Sequence, residues 1–255
     1  MDVSLERSKN WAEFSLGAMS VLTTSEECFL EYCELRKYRV HRIVPDINAG
    51  RFPDYQVDTS SGSVIVEIKE LTPNEDDRLF AETLKEEGRA SYHRAIGKRV
   101  RGAIMDAAPQ LRRYRDTLSP EVLLLYDNIV IDGRRSWGGN DHLDPLDLAG
   151  GMFGAPVMRF WRDPLNKPPD ASDASHGGGR QLTKTTRRYI GAVAVLNRGT
   201  ATSPLHIDFF HNPFSTKPLW PRYFLHPDDR HYIKPDHPDE SGWDWSEFVG
   251  EREST

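Results

Sequence analysis

The spacing of apolar and polar positions changes several times along the chain, and each change marks an element. Between Ser25 and Lys37, Phe29, Leu30 and Cys33 recur at helical spacing and line one face, which Glu26 shares. Thr24-Ser25-Glu26-Glu27 opens this helix as a capping box, with Thr24 at the cap and Glu27 three residues on. Tyr38 to Val44 alternates, with Val40 and Ile43 as its apolar positions, and predicts a short strand. Pro53 to Asp58 and Ser63 to Leu71 predict two more, reversed at Ser60-Ser61-Gly62. Residues 72–88 are acidic and polar and predict a loop with a short helix. Arg89 to Asp116 reads as helical, weakened by Gly97 and Gly102, with a bend or restart at Pro109. Val122 to Tyr126 is a continuous apolar run, as in a strand buried on both faces.

The first half therefore reads helix, three strands, helix, strand. Further on, Asp144 to Phe153 predicts a short helix, and Pro156 to Trp161, Tyr189 to Leu196 and Leu205 to Phe210 predict strands. Residues 166–179 form a Pro-, Asp-, Ser- and Gly-rich surface loop. From His226 the chain turns polar and acidic, with Trp243 and Trp245 as anchors. The pattern divides into an N-terminal segment (1–23), a core (24–130), an extension with a long loop insertion and additional strands (131–225) and a polar tail (226–255). The class is α/β with a mixed sheet and a β-rich C-terminal half.

Composition narrows this. The 255 residues are 38% hydrophobic and 28% charged, enough for a buried core and contrary to wholesale disorder. No apolar stretch is long enough to span a membrane. The first residues lack a basic start and an apolar run, so no secretory signal is expected. Cys28 and Cys33 point to different parts of one helix, so no disulfide between them is expected and a cytoplasmic setting fits. The net charge is -6, yet Arg89 to Arg115 holds eight Lys or Arg residues and one acid, Asp106. That asymmetry reads either as a phosphate-binding face or as a solvated helix paired with the acidic stretch Glu75 to Glu87.

The chemistry lies in residues 53–71. Alternation places Glu67 and Lys69 on one face with Ile65, while Val64, Val66 and Ile68 point the other way. If Ser60-Ser61 forms the two-residue loop, Asp54 falls opposite Glu67. If Ser61-Gly62 forms it, Asp54 falls opposite Lys69. Directly opposed β-carbons lie about 4.5–5.5 Å apart, where two carboxylates repel unless a cation sits between them. Magnesium takes oxygen ligands and keeps several waters, so Asp54, Glu67 and a backbone carbonyl suit it. Lys69 beside them is placed to orient a water or stabilise a pentavalent phosphate.

Pro53-Asp54 followed by Glu67-Ile68-Lys69 resembles the PD-(D/E)XK nuclease superfamily. The resemblance covers roughly residues 24–127. It implies a restriction-endonuclease-like αβββαβ core and Mg2+- or Mn2+-dependent hydrolysis of phosphodiester bonds, with DNA as the expected substrate. Asp54, Glu67 and Lys69 would be catalytic. An acid on the first helix would join Asp54 and Glu67 on the metal, with Glu26 the best match ahead of Glu27 and Glu31. Gln110 and Tyr114 fit the Gln-x-x-x-Tyr pattern that some branches carry on the second helix. Arg94, Lys98, Arg101 and Gln110 are the candidate nucleic-acid contacts, and a homodimer is compatible with the long insertion. Two other readings stand beside this one. A non-catalytic binding module on the same fold has less need of the full Asp, Glu and Lys set, and a regulatory protein would place its function in the strand-rich second half. Weaker candidates are a second metal site at His206, Asp208 and His211, and a cleft position for Asp127-Asn128, better read as a strand-ending turn. Gly177 to Gly179 lacks the context of a phosphate loop.

Overall fold

The structure, a computed structural model, describes residues 22–44, 51–90, 95–131, 134–135, 143–158, 174–198, 204–234 and 245–248. They form a mixed α/β fold: one eight-stranded mixed sheet and four α-helices. Helix α1 is Thr24–Leu35, followed by β1 (Arg39–Arg42), β2 (Tyr55–Thr59) and β3 (Gly62–Leu71). Helices α2 (Glu75–Glu87) and α3 (Lys98–Leu111) lead to β4 (Glu121–Asp127). Beyond it come β5 (Val130–Ile131), β6 (Arg134–Arg135), α4 (Pro145–Phe153), β7 (Pro156–Met158) and β8 (Ala174–His176). The chain then supplies β9 (Ile190–Asn197), β10 (His206–His211), β11 (Arg230–Ile233) and β12 (Ser246–Glu247).

The main sheet runs β1-β2-β3-β4-β9-β10-β11-β12, with β5-β6 and β7-β8 as separate pairs. β1, β2 and β3 form an antiparallel meander, and β4 lies parallel to β3. The β2–β3 register pairs Thr59 with Gly62, so Ser60-Ser61 is the two-residue loop. Residues 226–255 are not simply a tail: β11 pairs parallel with β10, and β12 pairs with β11. Polar composition hides these strands because β11 buries only His231 fully and both residues of β12 are exposed. Trp245 packs against Phe153 and Phe210 and donates to Pro145 O at 3.0 Å, as an anchor should. Trp243 lies outside the described residues.

Strand alternation builds two apolar layers. Val64, Val66 and Ile68, with Val122, Leu124 and Tyr126, face Phe29, Tyr32 and Cys33 of α1. Ile65, Leu123 and Leu125 face Val100, Ile104 and Leu111 of α3 and Leu148 and Met152 of α4. Cys28 and Cys33 are both free and buried. Among the described residues no helix is long and apolar enough to cross a membrane.

Three helix starts differ from the sequence reading. The capping box of α1 uses Thr23 and Glu26, one residue earlier than expected. Residues 75–87 form a full helix behind an Asn74–Asp77 capping box. α3 begins only at Lys98, because Gly97 takes the left-handed conformation (φ +70°) and meets the backbone of Gly150 and Gly151 on α4. Any β-carbon at Gly97 would lie 2.3 Å from that backbone, so only glycine fits this helix crossing.

Candidate metal centre

Asp54 sits at the entry to β2. Its carbonyl accepts from Ile43 N–H at 2.9 Å, which extends the β1–β2 ladder by one position. The β2–β3 ladder ends at Tyr55–Val66. Asp54 Oδ2 instead accepts the Ile68 N–H at 2.8 Å, which fixes the carboxylate beside β3. Continuing the register puts Asp54 opposite Glu67, the first of the two alternatives left open by the sequence.

Glu67 lies on the α3 face of the sheet, in alternation with Ile65, and is 0% exposed. Lys69 Nζ approaches its Oε1 to 2.6 Å, outside the directions a hydrogen bond requires. Both carboxyl oxygens are thus buried without a hydrogen-bond partner. Burial first, and the neighbouring Asp54 charge second, push the Glu67 carboxyl up to about 8, against the opposing pull of Lys69. Burial likewise raises Asp54, held back by the Ile68 N–H and by Lys69. Lys69 is partly open, with 26% of its side chain exposed, and Nζ donates to Gln110 Oε1 at 3.3 Å. Gln110 Nε2 in turn donates to Phe52 O at 3.4 Å.

This donor set suits a hard divalent cation: two converging carboxylates, one with both oxygens buried and only Lys69 as counter-charge, in a place where burial penalises bare charge. Among the described residues, however, no three His, Cys, Asp or Glu side chains group as a metal cage. Glu26 is near enough for its charge to act on Asp54. Its oxygens are already engaged: Oε2 accepts from Thr23 N–H at 2.8 Å, and Oε1 accepts from Tyr55 Oη at 3.1 Å and Arg42 Nη2 at 3.2 Å. Glu26 therefore closes the cap of α1 and braces the end of β2. A cation here would draw on Asp54 and Glu67, with its other positions open to a backbone carbonyl, water and substrate oxygens.

Compared with known family models, curated proteins and solved structures, the chain matches none of them. The site rests on its own geometry.

The candidate nucleic-acid contacts separate along α3. Gln110 faces the acidic pair through Lys69. Lys98 is exposed at the opposite end, roughly 18 Å away along the helix axis. Arg101 packs beside Gly179, where a β-carbon would lie 2.2 Å from its Nη1, and donates to Ile96 O at 3.4 Å. Arg94 lies outside the described residues. Arg99 pairs with Asp77 at the start of α2, so part of the basic run does serve the acidic helix. Tyr114, the second member of the Gln-x-x-x-Tyr pattern, is half-buried beyond the end of α3.

The other candidates resolve into structural roles. Asp208 receives a two-pronged pair from Arg230 at 2.6 and 2.7 Å, with His206 Nε2 3.0 Å from the same guanidinium. His211 Nε2 meets His231 Nδ1 at 2.9 Å instead of turning toward Asp208. Asp127 accepts the Ile129 N–H and Asn128 donates to Glu70, as in a strand-ending turn. Sequence reasoning missed Phe52 and Arg113, whose guanidinium lies 4.7 Å over the Phe52 ring. The available signal was Pro53, which restricts the residue before it to extended backbone.

Proposed function

We propose that this chain is a metal-dependent nuclease that hydrolyses phosphodiester bonds in nucleic acid, with DNA as its substrate. The observation that carries the reading is the pairing of half-buried Asp54 with buried Glu67, Lys69 beside them, on the hairpin register that sets Asp54 opposite Glu67. The element order from α1 through β4, with β3 and β4 parallel, supports a restriction-endonuclease-like core.

Asp54 and Glu67 would hold Mg2+ or Mn2+, and Glu26 would act behind Asp54 rather than on the ion. When bound there, the ion would supply a water of lowered pKa and neutralise charge on the phosphate. The Ile68 N–H keeps the Asp54 carboxylate aimed at the site. Lys69 Nζ, steered by Glu67 and Gln110, donates to a phosphate oxygen and offsets charge as the pentavalent state forms. Burial of Glu67 keeps bulk water from screening these charges.

Incubation of the purified protein with supercoiled, linear and single-stranded DNA, with and without Mg2+ or Mn2+, tests the reading. Ion-dependent cleavage that disappears in Asp54→Ala and Glu67→Ala supports it. Ion-independent cleavage, or variants that cut like the parent, contradict it. The full engagement of Glu26 favours a second reading, a non-catalytic nucleic-acid-binding module. Binding of DNA with no cleavage of any tested form selects that one.

A further inference from the structure

We infer that Phe52 and Arg113 form a platform for an unpaired nucleobase beside the reacting phosphate, so that the substrate is engaged as a single or locally opened strand. This rests on the nuclease reading and names the form of its substrate. Phe52 is half-buried, and Pro53, itself buried, restricts its backbone. Its carbonyl is tied to Gln110, and the other end of that amide accepts from Lys69, so the backbone that carries the ring is linked to the ammonium at the site. The Arg113 guanidinium lies 4.7 Å from the ring centroid, while its residue is exposed. A planar cation held against an aromatic face, open to solvent on its outer side, offers a base a stacking surface and a phosphate a partner. Arg51, exposed and adjacent in the chain, adds positive charge to the same approach. A fully stacked duplex offers no free base face to such a surface, whereas every unpaired base does.

The ordinary alternative is that Arg113 merely favours the C-terminal end of α3 by its charge. Arg113→Lys separates the two, because it keeps the charge and loses the plane. Phe52→Leu removes the ring while keeping apolar bulk and the backbone carbonyl that Gln110 binds. Full-length protein, with EDTA present so that no strand is cut, is titrated against a single-stranded DNA carrying 2-aminopurine and against a duplex of equal length. The wild type should bind the single strand and quench the probe. Both variants should lose quenching and roughly ten-fold or more in single-strand affinity, with duplex binding changed little. Variants that bind and quench like the wild type overturn the platform and leave the nuclease reading standing. A wild type that binds neither form also overturns the platform, and ion-dependent cleavage by the same preparation decides the nuclease reading separately.

Discussion

Two glutamates on neighbouring parallel strands show what separates a structural ion pair from a site. Glu67 on β3 and Glu121 on β4 are each 0% exposed, and each meets a lysine. Burial pushes Glu121 up to about 7 and Glu67 up to about 8. Their surroundings differ. Lys217, the partner of Glu121, has only 11% of its side chain exposed and also donates to Tyr114 O at 2.9 Å, so that pair clamps the 212–220 loop to the base of β4. Glu67 shares its lysine with a second acid, and Lys69 is partly open. One acid closed by one largely covered base needs nothing more. Two acids against one half-open base leave negative charge that a cation would satisfy.

The largest expected contrast is in cleavage. Asp54→Ala or Glu67→Ala should lower ion-dependent hydrolysis on the order of 10³-fold or more, since metal stabilisation of the transition state contributes several kcal/mol. Glu121→Ala should leave the rate per folded molecule unchanged. Single-turnover assays on material checked for folding read both.

Stability should reverse the ranking. Glu121→Ala leaves the largely covered Lys217 without its counter-charge and should cost about 3 kcal/mol in denaturant unfolding, the low end for a buried pair. Glu67→Gln removes a buried charge already crowded by Asp54, and in EDTA it should unfold no more easily than the parent. If the glutamine variant is the weaker of the two, the distinction between clamp and site fails.

A pH series sharpens the same comparison. The Glu67 carboxyl lies at 4.5 ordinarily and near 8 in the fold, so the native state holds the proton more tightly than the unfolded chain. The stability tied to that proton is complete below about 4.5 and is lost as pH rises to about 8. In EDTA the parent should therefore become easier to unfold across that window. Glu67→Gln should flatten its upper part, whereas Glu121→Gln should flatten a slope ending near 7.

The smallest effect concerns the far end of α3. Lys98→Ala should weaken DNA binding uniformly across sequences and reduce the salt slope by about one, with no change in the rate of the bound complex. Affinity measured at several salt concentrations checks this, and a fall in that rate would instead bring Lys98 to the chemistry.

The hairpin that carries Asp54, Glu67 and Lys69 was legible because strand alternation and a two-residue turn convert spacing directly into facing positions. Either loop frame put Asp54 on the face of Glu67 and Lys69. The structure selected Ser60-Ser61. Glu26 was legible as a core-facing acid, but not as the closing member of its own cap, because Thr23-Thr24-Ser25 before two glutamates offers two capping frames. Gln110 entered only through the resemblance, as an expected nucleic-acid contact. Its bonds to Lys69 and Phe52 O depend on how α3 crosses the sheet, set by Gly97 against Gly150 and Gly151, and no local pattern encodes that crossing. β11 and β12 were hidden because they are short, largely polar strands at the end of the sheet, with only His231 fully buried.

The central claim is that Asp54 and Glu67 together hold a divalent ion that displaces a proton. Calorimetric titration of Mn2+ near pH 7, repeated in two buffers of different ionisation enthalpy, measures ion binding and proton release at once. The account predicts one bound ion per chain with release of about one proton, both lost in Asp54→Asn and Glu67→Gln. Binding of equal strength in those variants, or no binding by the parent protein, would contradict it.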